Sequence, residues 1–132
     1  MLNSDLQIQR FIDSTNLKAN ASYEEIDSLC KTAAMYQFAA VCINPFYVQY
    51  AAEFLFGTNV NICSVVGFPL GANIFKNKIL ETEYLLKNKC NEIDMVINIS
   101  QLMNKNYDYV QKEIEQIANL CHSENAITKV II

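Results

Sequence analysis

Two charged side chains stand where strands should be apolar. Asp94 sits in NEIDMVINIS, Asn91 to Ser100, among Ile93, Met95, Val96, Ile97 and Ile99. Lys129 is the sole charge in ITKVII, the run that ends at Ile132. Burying either group without a partner costs on the order of several kcal/mol, so each must face an opposite charge or a water-lined cavity. A carboxylate beside an ammonium group is stabilised and can shuttle protons. The same two residues could equally be a structural ion pair on neighbouring strands. The residue types alone leave both readings open.

Other chemistry-bearing residues gather where strands should end. Asp13 and Thr15 close RFIDSTNL, Cys42 and Asn44 close FAAVCIN, Gly67 follows NICSVV, and Asn98 follows EIDMVI. Metal chemistry has little sequence support: His122 is the one histidine, and the five cysteines form no C-x-x-C. We therefore expect no metal site. The cysteine pattern fits reduced, buried thiols in a cytoplasmic protein better than a disulfide framework.

Composition sets the class. The chain has 132 residues, 52% hydrophobic and 18% charged, which suits one folded domain with a sizeable core. Net charge is −4 with no run of Lys or Arg, so nucleic acid and anionic membranes are excluded as partners. The start, MLNSDLQIQR, lacks the basic and apolar regions of a signal peptide. Two long uncharged stretches, residues 32–52 and 54–75, contain Pro45, Pro69, Gly57, Gly67 and Gly71. Punctuation of that kind marks strand, loop and helix in a water-exposed fold, not a membrane span.

The elements needed to position these residues follow from periodicity. Ser22 and Glu25 form a capping box ahead of Ile26, Leu29, Cys30, Ala33 and Ala34. Asn44-Pro45 predicts a second helix start, with Asn44 as N-cap; Val48, Ala51, Ala52 and Leu55 face inward and Gly57 stops it. A third helix is expected near residues 75–89, with Phe75, Ile79 and Leu86 inward. A fourth begins near Asn106 and buries Val110, Ile114, Ile117, Ala118 and Cys121. Between them lie continuous apolar runs, the mark of parallel strands covered on both faces. The order reads as a short N-terminal helix followed by five strands alternating with four helices, an α/β fold with a parallel sheet.

A doubly wound nucleotide fold would place glycines after its first strand, but STNLKANAS has none. Polar residues at strand ends suit the rim of a TIM (β/α)8 barrel instead. Such a barrel needs about 250 residues, so residues 1–132 read as one truncated barrel domain holding strands one to five.

The runs FIDSTNLK, FAAVCINPFYV, VVGFPLGAN, EIDMVINI, NYDYVQKEI and TKVII occur in an order and spacing that resemble the deoxyribose-phosphate aldolase family. The resemblance covers essentially the whole chain and matches the family's N-terminal half and a little more. It implies a cofactor-free class I aldolase that reversibly cleaves 2-deoxy-D-ribose 5-phosphate to glyceraldehyde 3-phosphate and acetaldehyde. In the family a sixth-strand lysine forms the Schiff base, a seventh-strand lysine lowers its pKa, and loops after strands seven and eight hold phosphate; this chain contains none of those segments.

What carries over is residue by residue. Asp94 matches the fourth-strand aspartate that moves protons. Lys129 matches the fifth-strand lysine, a supporting electrostatic role rather than the nucleophile. Asp13 and Thr15 match a first-strand acid and hydroxyl, although Ser14 stands where many members have histidine. Cys42 aligns with a second-strand cysteine near the substrate pocket, and could also be a core filler. Phe68 is expected to wall the pocket, and Gly67 and Gly71 to serve backbone geometry. The implied partners are a small sugar phosphate and a second copy in a family-like homodimer. The alternatives are an inactive aldolase remnant acting as a binding or assembly fragment, or another Schiff-base barrel aldolase.

Overall fold

The computed structural model describes residues 7–132, and the expected N-terminal helix lies partly outside them. Residues Ile8–Phe11 form a 3-10 turn. Five strands follow: β1 (Asp13–Asn16), β2 (Ala40–Ile43), β3 (Asn61–Val66), β4 (Glu92–Val96) and β5 (Ile127–Ile131). They pair in sequence order, all parallel. The connections carry α1 (Tyr23–Tyr36), α2 (Val48–Phe54), α3 (Phe75–Lys87), α4 (Ile99–Met103) and α5 (Tyr107–Ser123).

The apolar runs are explained by two cores. Val41, Ile43, Ile62, Val66, Ile93 and Met95 point from the sheet into the helix layer. Alternate residues on the opposite face, Ala40, Cys42, Cys63 and Val65, form a smaller cluster with Leu17. Strands apolar on both faces show no period-two alternation, and theirs read as continuous runs for that reason.

The contact between the outermost strands gives the curvature. A flat sheet would set β1 and β5 about 19 Å apart at the usual strand spacing. Yet Lys129 on β5 reaches Asp13 on β1, Nζ to Oδ2 2.7 Å. The sheet is therefore curled, with helices outside and the Asp13, Asp94 and Lys129 face inside. This is partial (β/α)8-barrel architecture.

Several local expectations are met or corrected by particular contacts. The Ser22/Glu25 capping box forms in both directions. Pro45 opens a 3-10 turn (Pro45–Tyr47) leading into α2, but Asn44 makes no side-chain cap. Its amide donates instead to the Lys18 carbonyl at 3.1 Å, tying the end of β2 to the loop after β1. In α3 the inward face is rotated: Lys78, Thr82 and Leu85 are buried, while Phe75, Ile79 and Leu86 are half-buried. The rotation follows from what lies opposite, because Glu113 of α5 meets the Lys78 ammonium at 2.8 Å. The additional helix α4 is one turn long, too short for periodicity to reveal, and is capped by the Asn98 side chain on the Gln101 N–H. All five cysteines are free and buried. Among the described residues no helix is long and apolar enough to cross a membrane.

Candidate active site

Parallel register builds the site. Asp94 and Lys129 are direct Cα partners on β4 and β5, so their side chains leave the sheet side by side. The Lys129 Nζ lies 3.1 Å from Asp94 Oδ1 and 3.1 Å from Glu92 Oε2, besides 2.7 Å from Asp13 Oδ2. Glu92 and Asp94 are two apart on one strand and therefore share a face. Glu92 also accepts a hydrogen bond from the Asn61 amide at 3.0 Å. One ammonium thus serves three carboxylates, partly open to water at 37% side-chain exposure for the lysine.

The electrostatics follow from that ratio. Burial works against the Lys129 charge, but its hydrogen bond to the Asp13 carboxylate leads a set of anionic neighbours that outweigh it, including Glu92 and Asp94. The ammonium is held well above the ordinary lysine range. This places a positive charge beside Asp94.

The other expected site residues take different positions. Asp13 is in the cluster. Thr15 is exposed at the end of β1, its hydroxyl donating to the Asp13 carbonyl at 2.9 Å, a bond within its own strand. Cys42 is buried on the inner face as the register partner of Cys63. The two neighbouring thiols shift each other in opposite directions, lowering the Cys42 pKa and raising that of Cys63; burial pushes both upward. Phe68 is 41% exposed in the loop after β3. Lys18 is a surface lysine paired with Glu25 at 3.2 Å.

The rim is set by backbone close approach and a buried ion pair. Gly71 has φ +64°, and a Cβ there would fall 1.9 Å from the Ile97 carbonyl oxygen, so only glycine fits. Gly67, at φ +65°, donates its N–H to Glu81 at 2.9 Å. Lys78 donates to the Val96 carbonyl at 2.7 Å, and Glu113 accepts the Asn98 N–H at 2.9 Å. Both ends of that pair therefore grip the segment just beyond Asp94.

Sequence reasoning missed Glu92, Cys63, Lys78 and Glu113. Glu92 carried a signal, its spacing of two from Asp94. Cys63 had none without knowledge of which strands are neighbours. The same proximity leaves Cys42, Cys63 and Asp94 with one ligand-capable atom each, all within 4.8 Å of one another, a set able to hold a metal ion.

Known proteins share this sequence pattern and fold. The chain is 46% identical over 127 residues to a deoxyribose-phosphate aldolase of Clostridium tetani, covering 96% of this chain and 58% of that relative. Its fold superposes on a structure described as QR15, an aldolase, with TM-score 0.88 at 30% identity, covering 100% of this chain and 56% of the other. It also matches the tetrameric deoxyribose phosphate aldolase of Aeropyrum pernix, with TM-score 0.84 at 31% identity over 94% of this chain and 51% of that one. The chain thus spans little more than half the length of the relatives it matches. A family model described as DeoC/LacD family aldolase matches residues 6–132. With that match running through every strand that contributes to the charged cluster, the chain belongs to the DeoC/LacD family of aldolases.

Proposed function

We propose that this chain supplies strands one to five of a deoxyribose-phosphate aldolase, an enzyme that cleaves 2-deoxy-D-ribose 5-phosphate to glyceraldehyde 3-phosphate and acetaldehyde through a Schiff base. The observation that carries this reading is the Asp94–Lys129 pair, 3.1 Å apart on the concave face of the curled sheet. Imine formation releases water, carbon–carbon cleavage leaves an enamine, and the enamine takes up a proton before hydrolysis. Each step moves a proton near one carbon, a task for a positioned carboxylate. In this reading Asp94 accepts and returns those protons. Lys129 fixes its orientation, and Asp13 and Glu92 hold Lys129 in place. Thr15 and Cys42 support the pocket, which Phe68 walls.

The nucleophilic lysine then comes from a sixth strand outside residues 1–132, which form one part of a larger barrel domain. Phosphate is held by later loops. The 132-residue chain alone is inactive in this reading, and its apolar β5 edge favours self-association. The complete enzyme acts in the cytoplasm, where the free cysteines stay reduced, and a homodimer is the expected assembly.

The test compares two polypeptides: this chain, and the same chain joined to whatever the coding DNA specifies after Ile132. Acetaldehyde release from 2-deoxyribose 5-phosphate is measured for both, with borohydride trapping of the imine. The joined protein should turn over and trap on a single lysine beyond Ile132. Absence of turnover on this sugar phosphate would overturn the substrate, and a trapped adduct on Lys129 would overturn its supporting role. If an authentic stop follows Ile132 and no companion chain carries the sixth strand, the inactive-remnant alternative replaces the enzyme.

A further inference from the structure

We propose that Cys42, Cys63 and Asp94 form a binding site for a thiophilic divalent cation of the Zn2+ type. The residues are distant in sequence but adjacent in the curled sheet. Cys42 and Cys63 are register partners on β2 and β3, and Asp94 pairs with Val65, two residues beyond Cys63 on the same face. One ligand atom from each lies within 4.8 Å of the other two. Bonds of about 2.3 Å to sulfur and 2.0 Å to oxygen set tetrahedral ligand atoms about 3.5–3.8 Å apart. Small side-chain rotations therefore close the site around an ion, with a water at the fourth position.

The donor set chooses the ion. Two sulfurs disfavour Mg2+ and Ca2+ and favour Zn2+ and its softer relatives. Binding releases both thiol protons to solvent, and no redox change is involved. Asp94 has capacity to spare, because its buried Oδ1 makes no properly directed hydrogen bond despite lying 3.1 Å from the Lys129 ammonium. Lys129 does not block entry, since it keeps Asp13 at 2.7 Å and Glu92 at 3.1 Å if Asp94 turns to the metal. With three carboxylates around one ammonium, the local field also attracts a second cation. Cys30, Cys90 and Cys121 belong to the core on the helix side of the sheet and take no part. An ion seated here withdraws Asp94 from proton transfer, a consequence that rests on the aldolase reading; binding itself does not.

Cobalt titration of the purified protein, in whatever length its coding DNA specifies, tests the site, with circular dichroism reporting the folded state. Co2+ should bind one per chain and give the near-ultraviolet thiolate-to-cobalt absorption, which Zn2+ then displaces. Cys42→Ser and Cys63→Ser should each at least halve the band. Loss of an outer partner of a metal ligand already weakens affinity about 10–100-fold, so Asp94→Asn should cost at least about tenfold in cobalt affinity while the band itself persists. Absence of the band, or its survival in the folded Cys42→Ser/Cys63→Ser double variant, would overturn the proposal. Should those variants unfold, alkylation of the wild-type chain decides. Zn2+ should slow labelling of Cys42 and Cys63 more than tenfold while Cys30, Cys90 and Cys121 are unaffected. Equal effects on all five would sink the site.

Discussion

Of the lysines that meet carboxylates among the described residues, Lys78 and Lys129 do so in opposite settings. Lys78 and Glu113 join α3 to α5 with both side chains at 0% exposure and 2.8 Å between them. Their remaining hydrogen bonds go to the backbone at Val96 and Asn98. Lys129 sits on the concave face with a surplus of carboxylates, part of its surface in water. A dry, one-to-one pair anchored to the backbone on both sides has one low-energy arrangement and serves as a clamp. A wet cluster with more acceptors than donors has several, and can exchange protons and ligands. The difference shows how burial and the ratio of acceptors to donors set one charge pair apart from another.

Removing one partner from each region breaks the comparison most sharply. Lys78→Met leaves Glu113 charged and uncompensated in the core, and should cost about 3–5 kcal/mol of stability. Adding Glu113→Gln should restore much of that loss, because the amide oxygen can still accept the Asn98 N–H. Urea unfolding of the single and double variants measures both, and a strictly additive result would mean that the pair is no clamp. In the complete enzyme, Asp94→Asn should leave folding intact and lower kcat by about 10²-fold, or about 2.7 kcal/mol of barrier. Turnover at the wild-type rate would remove Asp94 from proton transfer.

Titration sharpens the contrast without mutation. The folded pKa of Lys129 is raised, so its favourable charge interaction is present in full below the ordinary lysine value of about 10.4. It is lost only as pH climbs through the raised value. Carbon NMR at the Lys129 Cε should show no titration step up to about pH 10.4, where surface lysines are half titrated. A step near neutrality would instead identify a reactive amine. The smallest effect belongs to the surface: Ser22→Ala removes the cap of α1 and should cost about 1 kcal/mol. A loss near that of Lys78→Met would mean that exposure does not set the scale here.

The sequence by itself determined the alternation of strand and helix, the capping box at Ser22, and the two charges that interrupt apolar strands. Those features are local: a turn of helix, a run of apolar residues and a misplaced charge can each be read within a short window. It also marked Asp94 and Lys129 as candidates, since a charge in a buried strand always requires a partner. Only the tertiary structure decided which strands are neighbours, and with that how Lys129 reaches Asp13 across the curl and why Cys42 meets Cys63. Likewise, nothing local in the sequence marks Lys78 on α3, and its burial becomes legible only with Glu113 opposite it. Burial of a charge depends on a partner that packing brings near, and one-dimensional periodicity carries no record of that distance.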